Sequence, residues 1–136
     1  MAEVAILIGL QASGKTTFCH QELAAHEHVS KDAWPNAPRR QARQLRLVGE
    51  ALAGGRDVAV DNTNPSPAQW RPLIDVARAH GARVVGYWFP PDVALSQARN
   101  ALREGKNRVP DVGFYATLGR LRRPGRSPGS AHDSSW

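Results

Sequence analysis

Residues 9–16 read Gly-Leu-Gln-Ala-Ser-Gly-Lys-Thr, which fits the phosphate-binding pattern G-x-x-x-x-G-K-[ST] at every fixed position. Gly9 and Gly14 supply the torsional freedom and the absence of side chains that let successive N–H groups curl around one anion. Lys15 adds a full positive charge, and Thr16 begins a helix whose N-terminal dipole points at the same anion. The Thr16 hydroxyl can also ligate a magnesium ion that bridges two phosphates. Two other groups suit that chemistry. Asp61 ends a short apolar run beside Asn62-Thr63-Asn64 and resembles a Walker B carboxylate, which holds magnesium directly or through water. Arg99 and Arg103 stand four apart, so on one helix face they repel unless an anion lies between them; a lid closing over a triphosphate supplies that anion.

These side chains need a frame, and the hydrophobic pattern predicts one. Val4–Ile8 is an unbroken aliphatic run, as expected of a parallel strand buried on both faces. A helix should follow from Thr16 to about His26, with Phe18 and Leu23 toward the sheet. A short strand around residues 28–30 then brings Lys31 and Asp32 to the C-terminal edge, where open parallel sheets bind ligands. After the turn at Trp34–Pro38, Leu45, Val48 and Leu52 mark a helix over 39–52, and residues 57–61 form the next strand. A helix from Ala68 to His80, a strand over 83–89, a helix reaching about Arg103, a polar stretch at 104–108 and a last helix over 111–121 complete the body. Arg39, Arg40, Arg43 and Arg46 make either a solvated helix face or a basic rim for a phosphorylated acceptor. His20, His26 and His28 lack zinc spacing and read as surface and strand-end residues, while Cys19 reads as packing.

At 136 residues the chain is expected to hold one domain over 1–122 and a disordered tail over 123–136, rich in Pro, Gly and Ser. A net charge of +6 suggests an acidic partner, although four arginines against Asp133 put half of that excess at residues 120–136. The lone cysteine excludes an intrachain disulfide. No apolar run approaches a membrane span, and the start lacks the order of a secretory leader, so a cytoplasmic protein with no membrane association is expected.

Four blocks together resemble the kinase domain of the polynucleotide 5′-hydroxyl kinases and the small bacterial AAA-type P-loop ATP-binding proteins related to them. They are residues 9–16, Ser30-Lys31-Asp32, residues 60–65 with Asp61-Asn62-Thr63-Asn64, and Arg99-Asn100-x-x-Arg103 followed by Val109-Pro110. The resemblance covers about residues 3–121. It implies an α/β P-loop kinase fold: a short parallel sheet of order 2-3-1-4, with or without a fifth strand, flanked by helices and carrying an arginine-bearing lid. It also implies that Gly9, Ala12, Ser13, Gly14, Lys15, Thr16 and Thr17 bind ATP, and that Thr16 and Asp61 serve Mg2+. Asp32 would be the general base, Lys15, Arg99 and Arg103 would act on the transferring phosphoryl group, and Thr63 would lie near the acceptor. Two departures stand out. Pro35 occupies the position where some polynucleotide kinases carry an acceptor-gripping arginine, and the Arg-Pro-Gly-Ser tail replaces an apolar final strand.

Three functions follow from this pattern. The first is transfer of the γ-phosphate of ATP to a polynucleotide 5′-hydroxyl. The second is transfer to a small sugar, nucleoside or antibiotic, and the third is an ATP-binding module with little transfer activity. Acceptor identity and oligomeric state are not encoded in these motifs.

Overall fold

The computed structural model describes residues 2–103, 109, 111–124 and 134–135. In chain order these form β1 (Glu3–Ile8), α1 (Lys15–Glu22), β2 (Glu27–Val29), a 3-10 turn (Lys31–Ala33), α2 (Arg40–Ala53), β3 (Val58–Asp61), α3 (Pro67–Ala79), β4 (Arg83–Trp88), α4 (Val93–Ala101), α5 (Asp111–Arg120) and β5 (Ser134–Ser135). The first four strands are parallel in the order β2-β3-β1-β4, as expected. β1 lies at the centre, with Val4 opposite Val58 of β3 on one side and Val84 of β4 on the other.

The central strand is apolar without alternation because both of its faces are covered. Val4, Ile6 and Ile8 pack with Val48 and Leu52 of α2 and with Trp70 and Leu73 of α3. Ala5 and Leu7 point the other way, toward Cys19 of α1, Leu23, Ala59 and Phe89. Each buried aliphatic side chain contributes about 1.5–3 kcal/mol relative to exposure. That burial fixes the register of β1, because a one-residue slip would exchange its two faces.

Predicted boundaries fall within two residues of the observed ones except at the end of α1, and a two-residue difference at the end of α4 also bears on the site. α1 stops at Glu22 rather than near His26. Leu23 leaves helical geometry there, and Glu27 must already donate its N–H to Asp57 O at 2.8 Å to begin β2. α4 stops at Ala101, so Arg103 sits just past the helix and not on its face with Arg99. Its N–H bonds Asn100 O at 3.0 Å in the closing turn.

The polar stretch 104–108 and most of the expected tail lie outside the described residues. Within 123–136 the structure describes Arg123, Pro124 and the pair Ser134–Ser135, which runs antiparallel to β4 opposite Gly86 and Val85. The outer edge of β4 is therefore paired at those two positions.

Candidate active site

The turn from β1 into α1 builds the centre of the site. Gly9 leaves the strand so close to β4 that a Cβ there would lie 2.8 Å from Phe89 Cβ and 3.0 Å from Ser13 Oγ. Its N–H is fixed by Thr63 O at 3.0 Å. Gly14, at φ 90°, turns the chain into α1 in a left-handed conformation that a side chain would strain. Lys15 is buried and folds back over the loop, its Nζ donating to Leu10 O (2.5 Å), Gly9 O (3.1 Å) and Ser13 Oγ (3.2 Å). Burial pushes its ammonium down from the ordinary 10.5 to about 8; the Asp61 and Asp32 carboxylates oppose the fall, and Arg103 adds to it.

β3 delivers Asp61 beside this loop. The carboxylate is buried, and its Oδ2 accepts the Thr16 hydroxyl proton at 2.7 Å. The same oxygen lies 2.8 Å from His28 Nε2, a contact the sequence reading did not anticipate, since it placed His28 at a strand end with no partner. Strand parity could have found it. His28 is in register with Ala59, and Asp61 is two residues further along β3, so both side chains fall on the face that α1 covers.

The three residues after Asp61 tie the elements of the site together. Asn62 accepts the Lys31 N–H at 2.9 Å and donates to Gln44 Oε1 at 2.7 Å, which holds the turn bearing Asp32 against α2. Asn64 sits in left-handed geometry and donates to Leu7 O (2.8 Å) and Val60 O (3.3 Å), while its own carbonyl accepts Trp70 Nε1–H at 2.6 Å. Thr63 contributes its backbone carbonyl, which anchors Gly9.

Asp32 is exposed on the 3-10 turn, where Ser30 Oγ accepts its N–H at 3.2 Å. Arg39 stands in left-handed geometry at the start of α2, and Arg40 donates to Lys31 O at 3.4 Å. Burial, with Arg40 beside it, lowers the Lys31 pKa. Arg43 stacks on Trp34, its guanidinium carbon 4.4 Å from the ring centroid. The basic side chains before and within α2 thus include a group directed at the segment that carries Asp32.

On the other side of the loop a cleft of about 620 Å³ has Ala12, Ser13, Gly14 and Thr17 on one wall and Arg99 and Arg103 on the other. A Cβ at residue 14 would lie 3.6 Å from an Arg99 guanidinium nitrogen. Phe18 and Phe89 also line the cleft and pack edge-on with centroids 5.4 Å apart. Beyond the arginines, Asn100 fixes the returning chain by donating to Val109 O (2.6 Å) and accepting from Val109 N (2.8 Å). Lys15, Asp32 and Asp61 thus interact at the C-terminal edge of the sheet, and both arginines face the loop.

The residues present fit a phosphate group and magnesium. Gly9 leaves no room for a side chain, Gly14 holds a left-handed turn, loop oxygens accept from the buried ammonium, and Thr16 and Asp61 present hard oxygen donors.

Known proteins are similar to this chain in sequence or in fold. The bifunctional polynucleotide phosphatase/kinase of Schizosaccharomyces pombe is 23% identical over 127 residues, covering 90% of this chain and 30% of that protein. The Pnkp1/Rnl/Hen1 RNA repair complex contains a chain that superposes with a TM-score of 0.73 at 19% identity, over 88% of this chain and 44% of that one. A sugar kinase from Janibacter sp. gives a TM-score of 0.70 at 16% identity, over 92% and 80% of the two chains. This chain therefore spans less than half the length of the first two of these proteins. Residues 4–124 match the family described as AAA domain, and the chain belongs to that family with the fold of a P-loop kinase.

Proposed function

We propose that this domain, residues 1–122, is an ATP- and magnesium-dependent phosphotransferase whose acceptor is a polynucleotide 5′-hydroxyl. The observation that carries the reading is the placement of Arg99 and Arg103 across a cleft from Ser13 and Gly14, with Asp32 and Asp61 near enough to act on the Lys15 charge. A phosphate site alone needs neither a second cationic wall nor an exposed carboxylate beside it.

In this reading the loop N–H groups, Lys15 and Thr17 hold the triphosphate. Magnesium, held through Thr16 and Asp61, neutralises phosphate charge when bound. Asp32 accepts the proton of the acceptor hydroxyl as its oxygen bonds to the γ-phosphorus; the bond to the β,γ-bridging oxygen breaks and ADP leaves. Arg99 and Arg103 balance the charge spread over the transferring group. A cytoplasmic setting agrees with this chemistry and with the single cysteine. Among the described residues no helix is long and apolar enough to cross a membrane.

The polynucleotide acceptor is favoured by the similarity that runs through 90% of this chain to a polynucleotide phosphatase/kinase. A sugar or other small hydroxyl compound is the second reading, favoured by the sugar kinase fold that matches nearly as well and over most of its own length. Competition separates them. With labelled ATP and magnesium, label is expected in a 5′-hydroxyl oligonucleotide and not in a panel of sugars, and transfer should fall steeply as salt rises. Label in a sugar alone, with little salt dependence, would replace the first reading by the second.

A further inference from the structure

Alongside the phosphate loop, three ligand-type atoms converge that the proposed transfer does not require together. Cys19 comes from α1, nearly one turn beyond Thr16, His28 from β2 and Asp61 from the end of β3. The Cys19 sulfur, a His28 ring nitrogen and an Asp61 carboxylate oxygen all lie within 4.8 Å of one another. A pocket of about 160 Å³ touches Cys19, His20 and His28, and the His28 side chain is 39% exposed, so an ion has a way in. His20 stacks on His28, with ring centroids 5.8 Å apart.

We propose that Cys19, His28 and Asp61 form a binding site for a thiophilic divalent cation of the zinc type, and that filling it weakens nucleotide binding by drawing Asp61 away from Thr16.

The donor set decides the class of ion. Sulfur, imidazole and one carboxylate suit zinc or cobalt, whereas magnesium prefers an octahedron of oxygens. A tetrahedral zinc with bonds of about 2.0–2.3 Å holds its ligand atoms roughly 3.3–3.6 Å apart. His28 Nε2 and Asp61 Oδ2, now at 2.8 Å, need to part by only about half an ångström, and no pair has to close by more than about 1.5 Å. The fourth position is left to water or to His20. The Cys19 thiol proton passes to solvent as the thiolate binds the ion.

The consequence for the loop follows from sharing. Asp61 Oδ2 also accepts the Thr16 hydroxyl, so an ion on that carboxylate competes with the arrangement proposed to hold magnesium. The site itself stands whatever the acceptor is; its effect on nucleotide binding rests on the function proposed above. The two parts have separate readouts.

The test starts with the metal-free full chain titrated with cobalt(II). Support is a one-to-one complex with the intense visible bands of four-coordinate cobalt, a near-ultraviolet sulfur-to-cobalt band, and displacement of both by zinc. Cys19→Ser should lose the sulfur band. His28→Gln should bind cobalt at least about tenfold more weakly, the low end of what losing even an outer partner of a metal ligand does. Circular dichroism melts establish that each variant is folded, and His28→Gln, at a half-exposed position, leaves the core untouched. A pale six-coordinate spectrum, or cobalt binding unchanged in both variants, overturns the site. The second readout is fluorescent ATP-analogue binding in excess magnesium, with zinc equimolar to the chain. At least about tenfold weakening in the native chain and less than about twofold in His28→Gln is expected. Equal behaviour of the two chains overturns the coupling to the loop, even where cobalt has established the site.

Discussion

Lys15 is buried and donates to the oxygens of its own loop. Its folded pKa, near 8, lies below the ordinary 10.5, so between those values the unfolded chain binds more protons than the folded one. Stability of the nucleotide-free chain should therefore rise with pH across that window, because folding no longer buries a charge. Nucleotide affinity should do the reverse and fall above about pH 8, since phosphate selects the charged ammonium. Thermal unfolding with and without ATP across this range checks both signs, and Lys15→Met should remove both dependences. Arg99 and Arg103 make a different prediction. Replacing either by Ala should lower transfer by about 10³, at the lower end for a cation that meets charge in the transition state, while nucleotide affinity changes by less than tenfold. Single-turnover transfer and equilibrium binding, measured side by side, separate those two quantities.

Among the elements, the strand-loop-helix unit was legible from Val4 to Thr16, because an unbroken aliphatic run and fixed glycines each have one physical reading there. The other parallel strands and their helices were legible from periodicity. What escaped were side chains whose partners come from distant elements: His28 on Asp61, Asn62 between Lys31 and Gln44, and Asn64 beneath β1 and β3. Periodicity within one segment does not announce such pairs; strand parity finds the His28 contact once β2 is set against β3, and the Asn64 contact with Leu7 needs β1 beside β3. The end of α4 before Arg103 was missed for a related reason. Asn100 spends its side chain on Val109 and closes the turn, where helical periodicity alone would have carried on. Asn64→Ala should leave the Leu7 and Val60 carbonyls short of a donor and put alanine at φ 43°. A loss of about 1–3 kcal/mol in urea unfolding, with an unchanged m-value, is the expected result. Gly9→Ala should act on the loop instead. Its methyl meets Phe89 at 2.8 Å, so nucleotide affinity should fall at least about tenfold in a titration with an ATP analogue.

Over the whole molecule, both faces of the parallel sheet are covered, and the candidate site groups gather at its C-terminal edge. The net charge of +6 makes that edge part of a basic molecule, although half of the excess lies at residues 120–136. If the acceptor is a polynucleotide, the logarithm of oligonucleotide affinity should fall linearly with the logarithm of salt concentration, each neutralised phosphate adding about 0.7–0.9 to the slope. A chain of an RNA repair complex and a sugar kinase share this frame, so the acceptor is decided by measuring transfer. The most direct measurement is transfer of labelled γ-phosphate from ATP to a 5′-hydroxyl oligonucleotide by the native chain and by Asp32→Asn, with nucleotide binding followed in parallel. Transfer by the native chain, a loss of about 10²–10⁴ in the variant, the range for a general base, and equal nucleotide affinity in both are expected. Transfer at the native rate by Asp32→Asn, or none by a native chain that binds ATP, would contradict the proposed mechanism.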